Sequence, residues 1–216
     1  MEYNGIPNIQ KYLLEWASTS LRKFPWRKKK MSPYEIFVAE ILLKRTTAKA
    51  ASGIYGKFLK KYSTIKKLAS SDTDELDEIV RPIGYWQRAL EARMAAKYIV
   101  EYLGSKFPND KDVLLEIPFV GDYISSAILS LAFDRPYPMV DSNVNRIISR
   151  VYFGTSPTSN IKKDVQKVAH LVLPRDHHRI FNLAMIDLGG TVCLSKNPKC
   201  HICPLGEICK YKNKKV

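Results

Sequence analysis

The apolar residues of this chain are spaced as they are in helices. A run of apolar residues at 36–43 contains a single carboxylate, Glu40, and follows Ser32 and Pro33, a capping residue and a first-turn proline. The helical spacing recurs in nine further segments: 51–60, 65–69, 74–80, 87–103, 110–116, 123–132, 143–152, 161–173 and 180–189. Alternating runs joined by strong hairpin turns, the pattern of β-strands, are missing. The pattern therefore predicts an all-α protein with short polar connections.

All four cysteines of the chain lie near its C-terminus. Cys193, Cys200, Cys203 and Cys209 form a C-x6-C-x2-C-x5-C run. Clustered thiolates are soft ligands that suit zinc or an iron–sulfur cluster. Structural zinc sites usually contain two tight C-x2-4-C pairs, whereas only the middle pair is tight here, so the spacing favours one loop around a [4Fe-4S] cluster. Zinc is the second interpretation, and disulfides, which need an oxidising compartment, are the third.

Charge and the N-terminal sequence restrict the partner and the location. The chain has 35 Lys and Arg against 21 Asp and Glu, and its formal charge of +14 favours a polyanion such as nucleic acid as partner. Balanced surface ion-pair networks would not produce this excess. Residues 1–25 contain no long apolar stretch of the kind a signal peptide needs, and no segment approaches a membrane span. We therefore expect an intracellular, cytoplasmic protein with no membrane partner, associated with the nucleoid.

The segment 113–129 predicts two helices joined by a tight turn. The turn has the sequence Ile117-Pro118-Phe119-Val120-Gly121. A glycine free to adopt positive φ would close it and leave the backbone N–H groups at the start of the second helix pointing outward. Such N–H groups can bind a DNA phosphate. On shape alone, an ordinary helix–helix connection is the favoured interpretation.

Three motifs, in the same order, resemble those of the helix-hairpin-helix base-excision DNA glycosylases. The turn at 117–121 is followed by Tyr123 at the catalytic position of that family, and the loop at 133–141 ends in Val140-Asp141. The cysteine run resembles the iron–sulfur signature of the endonuclease III branch. Within this branch, the segments 24–27 and 39–48 are similar to those of the archaeal thymine-DNA mismatch glycosylases. Phe119 departs from the family pattern, which has the first glycine of the hairpin at this position.

The resemblance implies an enzyme that flips out a nucleotide and breaks its N-glycosidic bond. Asp141 is the carboxylate that would stabilise the positive charge developing on the sugar, although a lone aspartate before a helix is otherwise an N-cap. Tyr123 stands where strand-nicking members have lysine. A phenol cannot form an imine, so we expect hydrolysis without efficient AP-lyase activity, the alternative being an exposed helix-start residue. Glu40 would lie in a pocket and protonate the leaving base, or else face solvent at a helix edge.

Further residues are interpreted as DNA contacts from their type and from the resemblance. Aromatic residues beside glycine can stack against bases, although such aromatics also pack in cores. Lysine and arginine can neutralise phosphates. The candidates are Val120 and Gly121 in the turn, Lys44, Arg45 and Thr46 after the first helix, Tyr85 and Trp86 in a loop, and Lys196 and Lys199 between the first two cysteines.

The family implies two helical lobes, 26–137 with the hairpin and 1–25 with 138–216 around the cluster, and a DNA-binding cleft between them. We expect a monomer that acts on double-stranded DNA containing a mismatched or damaged base and removes thymine or uracil opposite guanine. The first alternative is a MutY-like adenine glycosylase acting opposite 8-oxoguanine or guanine. The loop Gly84-Tyr85-Trp86 resembles that family, whose members generally carry a further C-terminal domain, whereas this chain ends shortly after Cys209. The second alternative is a non-catalytic iron–sulfur module that binds DNA lesions.

Overall fold

The computed structural model describes residues 6–211, and the regular secondary structure of this part of the chain is entirely helical. Its eleven α-helices are α1 (Ile6–Ser20), α2 (Pro33–Leu43), α3 (Ala48–Lys61), α4 (Ile65–Ala69), α5 (Thr73–Val80), α6 (Gln87–Tyr102), α7 (Lys111–Glu116), α8 (Asp122–Leu131), α9 (Ser142–Phe153), α10 (Lys162–Val172) and α11 (His178–Thr191). Three short 3-10 helices also occur, at Arg81–Ile83, Ser159–Ile161 and Cys200–Ile202. The prediction of an all-α protein is confirmed.

Lys23–Asp134 forms one compact unit, the central unit, which contains α2 to α8. Every residue of α2 from Ile36 to Leu42 is buried, as in a helix enclosed on all sides, and α2 packs against α3, α6 and α8. The helix begins where the sequence predicts because Ser32 and Glu35 form a reciprocal capping box around its first turn.

Met1–Arg22 and Arg135–Val216 form the second compact unit, the terminal unit, of which residues 6–22 and 135–211 are described. Helices α1, α9, α10 and α11 enclose its core. Helix α1 was not predicted. Its buried residues Ile9, Leu13 and Ala17 repeat at every fourth position. Tyr12, Leu14 and Trp16 pack partly buried against the same core, and Asn8, Lys11 and Glu15 are exposed between them.

The two units divide at Arg22/Lys23 and at Asp134/Arg135, slightly N-terminal to the boundaries of 26 and 137 that the sequence predicts. Residues 1–5 and 212–216, which the prediction includes in the cluster lobe, lie outside the described residues. Among the described helices, none has the length and apolar character needed to cross a membrane.

Candidate functional site

The four cysteines line one cavity of the terminal unit, together with Arg150, Val192, Pro198, Lys199 and Tyr211. None of these four cysteines forms a disulfide. The N–H of Cys193 donates to the carbonyl of Leu188 (2.8 Å) at the end of α11. Within the 3-10 turn that follows, the N–H of Cys203 donates to the carbonyl of Cys200 (3.1 Å). Backbone hydrogen bonds thus hold Cys193, Cys200 and Cys203, and Cys209 lines the same cavity.

The electrostatics of this cavity fit a cationic cluster. Burial raises the pKa of the Cys203 thiol to about 11; a backbone hydrogen bond at Leu205 lowers this pKa, and the charges of Cys193, Cys209 and Cys200 raise it. Neighbouring thiolates repel one another in buried surroundings, so they need adjacent positive charge to remain ionised. Iron ions supply that charge, and cysteine thiolates are the usual ligands of [4Fe-4S] clusters. The residues present therefore fit such a cluster.

Arg150 of α9 lies against the cysteine cavity and is only 4% exposed. One guanidinium nitrogen, Nη1, donates to Sγ of Cys193 (3.3 Å) and to the carbonyl of Leu194 (2.7 Å), and Nη2 donates to the carbonyl of Ser195 (3.1 Å). A buried positive charge beside a sulfur stabilises its thiolate form. Arg150 was not predicted as part of this site, because it lies far along the chain from the cysteines.

Lys196 and Lys199 lie in the segment between the first two cysteines, and both are exposed. Lys199 also lines the cysteine cavity. The two side chains add positive charge to the surface of the cysteine segment, as phosphate binding would require. That they contact DNA stays a prediction.

Asp141 is the N-cap of α9. Its Oδ1 accepts a hydrogen bond from the N–H of Val144 (2.8 Å), and its Oδ2 accepts one from Nδ2 of Asn143 (2.8 Å). The capping role that a lone aspartate before a helix suggests is therefore present. The carboxylate can accept further hydrogen bonds, because each oxygen can accept about two and Asp141 is partly exposed.

A chain of hydrogen bonds links the Asp141 carboxylate to the first cysteine. Oδ1 of Asn143 accepts from Nη2 of Arg146 (2.8 Å), and Nε of Arg146 donates to the carbonyl of Cys193 (2.8 Å). Nη2 also donates to the carbonyl of Gly189 (2.8 Å). A Cβ at Gly189 would lie 2.4 Å from Cβ of Asn143, so the close approach of α9 and α11 requires glycine here. The cysteine segment and Asp141 are thus held in one arrangement.

Asn182 of α11 fixes the loop that leads to Asp141. This residue is 3% exposed; its Oδ1 accepts from the N–H of Met139 (3.1 Å), and its Nδ2 donates to the carbonyl of Tyr137 (2.9 Å). The side-chain amide of Asn182 therefore pairs backbone groups of this proline-rich loop that would be paired with other backbone groups in a helix or strand. Asn182 was not predicted as part of this site, since nothing in the pattern of α11 indicates which polar side chain faces the loop.

Glu40 lies inside α2 and is 7% exposed. The structure places it in the interior of the central unit rather than at a solvent-facing helix edge. Its helix neighbours on both sides, Ala39 and Ile41, are buried apolar residues. That Glu40 acts on the leaving base stays a prediction.

The hairpin between α7 and α8 has the predicted position but a different geometry. The expectation that Gly121 closes the turn with positive φ is wrong, because Gly121 has φ −93°. Phe119 has φ 66° instead, so the turn keeps a glycine-like conformation at the position where the family pattern has its first glycine. Lys44 holds this residue, since its Nζ donates to the Phe119 carbonyl (3.2 Å) and lies 5.7 Å from the ring centroid.

The turn amides differ in what they can offer to a phosphate. The N–H of Val120 donates to the carbonyl of Ile117 (3.1 Å), and Val120 is buried, so this N–H is already paired within the turn; a phosphate contact at Val120 stays a prediction. Gly121 is exposed, and a Cβ added there would meet no atom within 4 Å. Helix α8 therefore begins at an open surface, and Tyr123 lies partly buried in its first turn.

The other predicted DNA contacts lie in the segment after α2 and in the loop before α6, and they differ in their exposure and in their partners within the protein. Nζ of Lys44 forms an ion pair with Oε2 of Glu91 (2.9 Å), and a contact of Lys44 with DNA stays a prediction. The guanidinium of Arg45 is 4.8 Å from the ring centroid of Tyr85. The Tyr85 hydroxyl donates to Oε1 of Glu91, whereas Trp86 is 73% exposed. Of the two aromatic residues, Trp86 is the one whose ring is available for stacking; Thr46 is partly exposed.

Together, the hairpin in the central unit and the four-cysteine cavity beside a capped aspartate in the terminal unit define an iron–sulfur protein of the helix-hairpin-helix type. Residues 38–170 match the HhH-GPD superfamily of base excision DNA repair proteins, and residues 193–209 match the iron–sulfur binding domain of endonuclease III. The chain belongs to the HhH-GPD superfamily of base excision DNA repair proteins. The predicted [4Fe-4S] cofactor is confirmed by the second match, which begins at Cys193 and ends at Cys209.

Similar proteins cover nearly the whole chain. The thymine-DNA glycosylase of Aeropyrum pernix is 37% identical, over 99% of this chain and 98% of its own length. The thymine/uracil-DNA glycosylase of Methanothermobacter thermautotrophicus is 33% identical, over 94% of this chain and 92% of its own. A solved structure of a thermostable thymine-DNA glycosylase has a TM-score of 0.88 at 32% identity, covering 96% of this chain and 98% of that chain. The family and fold that the sequence motifs predict are therefore confirmed.

Proposed function

We propose that this protein is a DNA glycosylase that removes thymine or uracil from mismatches with guanine and leaves an abasic site. The observation that carries the proposal is the similarity, over nearly the whole chain, to thymine- and thymine/uracil-DNA glycosylases. The formal charge of +14 supports double-stranded DNA as partner. The protein would work on chromosomal DNA as a monomer, because a single mismatch offers no two-fold symmetry for a dimer to match.

Asp141 would carry the central step. As the N-glycosidic bond breaks, positive charge develops on the sugar, and a fixed carboxylate beside C1' stabilises that charge and orients the attacking water. The hydrogen bonds from Val144 and Asn143 hold both carboxylate oxygens of Asp141 in place before the substrate arrives. A group fixed in this way needs little reorganisation during the reaction.

Glu40 and Tyr123 would determine how the base leaves and how the reaction ends. Glu40 is buried in α2, where it would donate a proton or hydrogen bond to the departing base. Tyr123 occupies the position at which a lysine would attack C1' and form an imine. A phenol cannot do so, and the product would be an intact abasic site.

The exposed residues would bind the duplex. Trp86 would stack into the space that the flipped nucleotide leaves, and the start of α8 at Gly121 would approach a phosphate. Arg45 and Thr46 would lie near the opposite strand. Lys196 and Lys199 would neutralise phosphates from the cysteine segment.

The thiolates of Cys193, Cys200, Cys203 and Cys209 would all ligate the cluster. When bound, the cluster supplies a covalent cross-link of the C-terminal segment rather than electron transfer, since hydrolysis of a glycosidic bond moves no electrons. The hydrogen bonds of Arg146 and Asn143 connect this cross-linked segment to Asp141 and would restrict the movement of its carboxylate.

The proposal is tested by single-turnover base release with Asp141→Asn as the key variant. Asparagine can keep the cap bond from Val144, but its amide nitrogen cannot accept the hydrogen bond from Asn143. The variant should therefore fold, melt slightly below the wild type, bind the mismatch and release no base. Asp72→Asn is the matched control, because Asp72 caps α5 through the same kind of hydrogen bond. Wild-type rates in Asp141→Asn would refute the catalytic role.

The substrates are duplexes containing T:G, U:G, A:8-oxoguanine or thymine glycol, each assayed with and without hot alkali. Release from T:G and U:G, with strand breaks only after alkali, supports the proposal. Preferential release of adenine would assign the MutY-like activity instead. Strand breaks without alkali, or a covalent complex trapped by borohydride, would contradict hydrolysis. Binding without any base release would indicate the non-catalytic module.

A further inference from the structure

Two charged residues of α6, Arg88 and Glu91, are buried in the central unit. Arg88 is 0% exposed and Glu91 is 7% exposed. Charged side chains are rarely buried to this extent unless they are paired, and each burial opposes folding until its hydrogen bonds are made. The burial of two charged side chains three positions apart on one helix therefore needs an explanation in their partners. We name the pair the α6 anchor.

Arg88 fastens two loops to α6. Its Nε donates to the carbonyl of Ile41 (3.2 Å), its Nη2 to the carbonyl of Lys44, and its Nη1 to the carbonyl of Gly84. The first two carbonyls lie at the end of α2 and at the start of the segment 44–47. The third lies in the loop 84–86 that carries Trp86. One guanidinium thus fixes the distance between these two loops.

Glu91 adds the hairpin to this arrangement. Its carboxylate accepts from the Tyr85 hydroxyl and from Nζ of Lys44, and the same Nζ donates to the carbonyl of Phe119. Burial opposes ionisation of Glu91, but these hydrogen bonds and the positive charges of Lys44 and Arg88 outweigh it and lower the pKa of the carboxyl group. The carboxylate is therefore charged and paired, and it connects the segment 44–47, the loop 84–86 and the turn 117–121.

Each of the three loops contains one bulky residue in the left-handed region. These are Arg45 (φ 52°), Tyr85 (φ 49°) and Phe119 (φ 66°). Among the described residues, the other non-glycine positions with positive φ are Ser105, Asp134 and Asn197, which are small or readily adopt this conformation. Such strain opposes folding and persists only where the surroundings enforce it. The three strained residues coincide with the three loops that the anchor holds.

We infer that Arg88 and Glu91 are positioning residues that hold these three loops in the shape needed to open the duplex at the target base. The inference rests on the proposed function, because it takes the loops to contact DNA. The anchor is assembled before DNA binds, so the protein does not have to order three separate segments during the encounter. Preorganisation of this kind lowers the cost of binding.

The test is Glu91→Gln, which keeps the shape of the side chain but removes the charge that pairs with Lys44. Base release is measured on a T:G duplex and on the same sequence with the thymine in a short unpaired bubble. Opening costs little when the base is already unpaired. We expect the half-saturating protein concentration for the duplex to rise about tenfold, equivalent to about 1.4 kcal/mol, with a clearly smaller change for the bubble.

Glu101→Gln is the matched control, since Glu101 is exposed on the same helix. Tyr85→Phe removes only the hydroxyl that donates to Glu91 and should shift the duplex in the same direction by less, which keeps the test usable if Glu91→Gln does not fold. Melting temperatures are measured for every variant. Equal losses on duplex and bubble, or no loss on either, would overturn the inference.

The same experiment separates the two proposals. A wild-type protein that releases no base from any duplex refutes the proposed function. Binding measured by fluorescence anisotropy then decides about the anchor on its own. Weaker binding of the mismatched duplex by Glu91→Gln than by the wild type still supports the positioning role, whereas unchanged binding contradicts it.

Discussion

Replacing Gly189 with alanine should disturb the support of Asp141 more than its size suggests. The added Cβ would lie 2.4 Å from Cβ of Asn143, whereas carbon atoms in contact are separated by about 3.5–4.0 Å. Helices α9 and α11 must therefore move apart by about 1 Å at this point, and Asn143 would carry Asp141 with it. Overpacking costs about 1–3 kcal/mol, of which alanine's better helix propensity returns at most about 1 kcal/mol. A misplacement of about 1 Å can also slow catalysis by about a hundredfold.

The assay compares Gly189→Ala with Gly53→Ala. Gly53 lies in α3 and is exposed, and a Cβ added there would meet no atom within 4 Å, so alanine at this position should stabilise by up to about 1 kcal/mol. For a chain of this length, 1 kcal/mol corresponds to about 2–4 °C in Tm. Gly189→Ala should melt below the wild type and release base far more slowly, while Gly53→Ala does neither. A Gly189→Ala protein that melts at or above the wild-type temperature with unchanged base release would refute the reasoning.

Three further results are expected. Phe119→Gly should be more stable than Phe119→Ala by about 1 kcal/mol in urea unfolding, because both lose the ring but only glycine accepts φ 66° without strain; equal stabilities would contradict the turn geometry. Burial raises the pKa of Tyr152 from 10.0 to about 12, so its contribution to stability is complete below pH 10 and declines towards pH 12; Tyr152→Phe should lose less stability over that interval, and parallel pH curves would argue against it. Arg150→Met should lose iron to a chelator faster than Arg150→Lys, which keeps a positive charge near Cys193, as followed by the iron-to-protein ratio; identical loss rates would rule out the electrostatic role.

The sequence predicted α2 but did not predict α1. Helix α2 was accessible because seven consecutive buried residues follow a capping box. In α1, exposed residues such as Lys11 and Glu15 interrupt the apolar residues, and the helices that cover these apolar residues, α10 and α11, lie far along the chain. Burial against distant segments is a tertiary property that local spacing does not encode.

Residues that pair with groups far along the chain were harder to predict than residues that belong to a sequence motif. The cysteines and Asp141 follow from spacing and resemblance. Arg88, Glu91, Arg146 and Arg150 are charged residues within helices, and such residues usually face solvent. Arg88, Glu91 and Arg150 are buried and Arg146 is partly buried. Only their polar partners in the folded protein explain these positions. The ion pair of Lys44 with Glu91 was likewise not predicted, because the positive charge of Lys44 indicated a contact with DNA and Glu91 lies far along the chain.

The hydrogen bonds that make Asp141 a helix cap also fix the carboxylate in the orientation that its proposed catalytic role needs. The cap bond to Val144 fixes Oδ1, and the Asn143 amide fixes Oδ2, so the carboxylate has one orientation and remaining lone pairs. A carboxylate meant to stabilise a developing cation must be fixed beforehand, because a mobile one would spend the interaction on its own reorientation. An aspartate free of the helix would be a poorer catalyst. The interpretation of Asp141 as an N-cap therefore describes how the proposed catalytic group is held, and a variant that keeps the cap while removing the charge separates the two contributions.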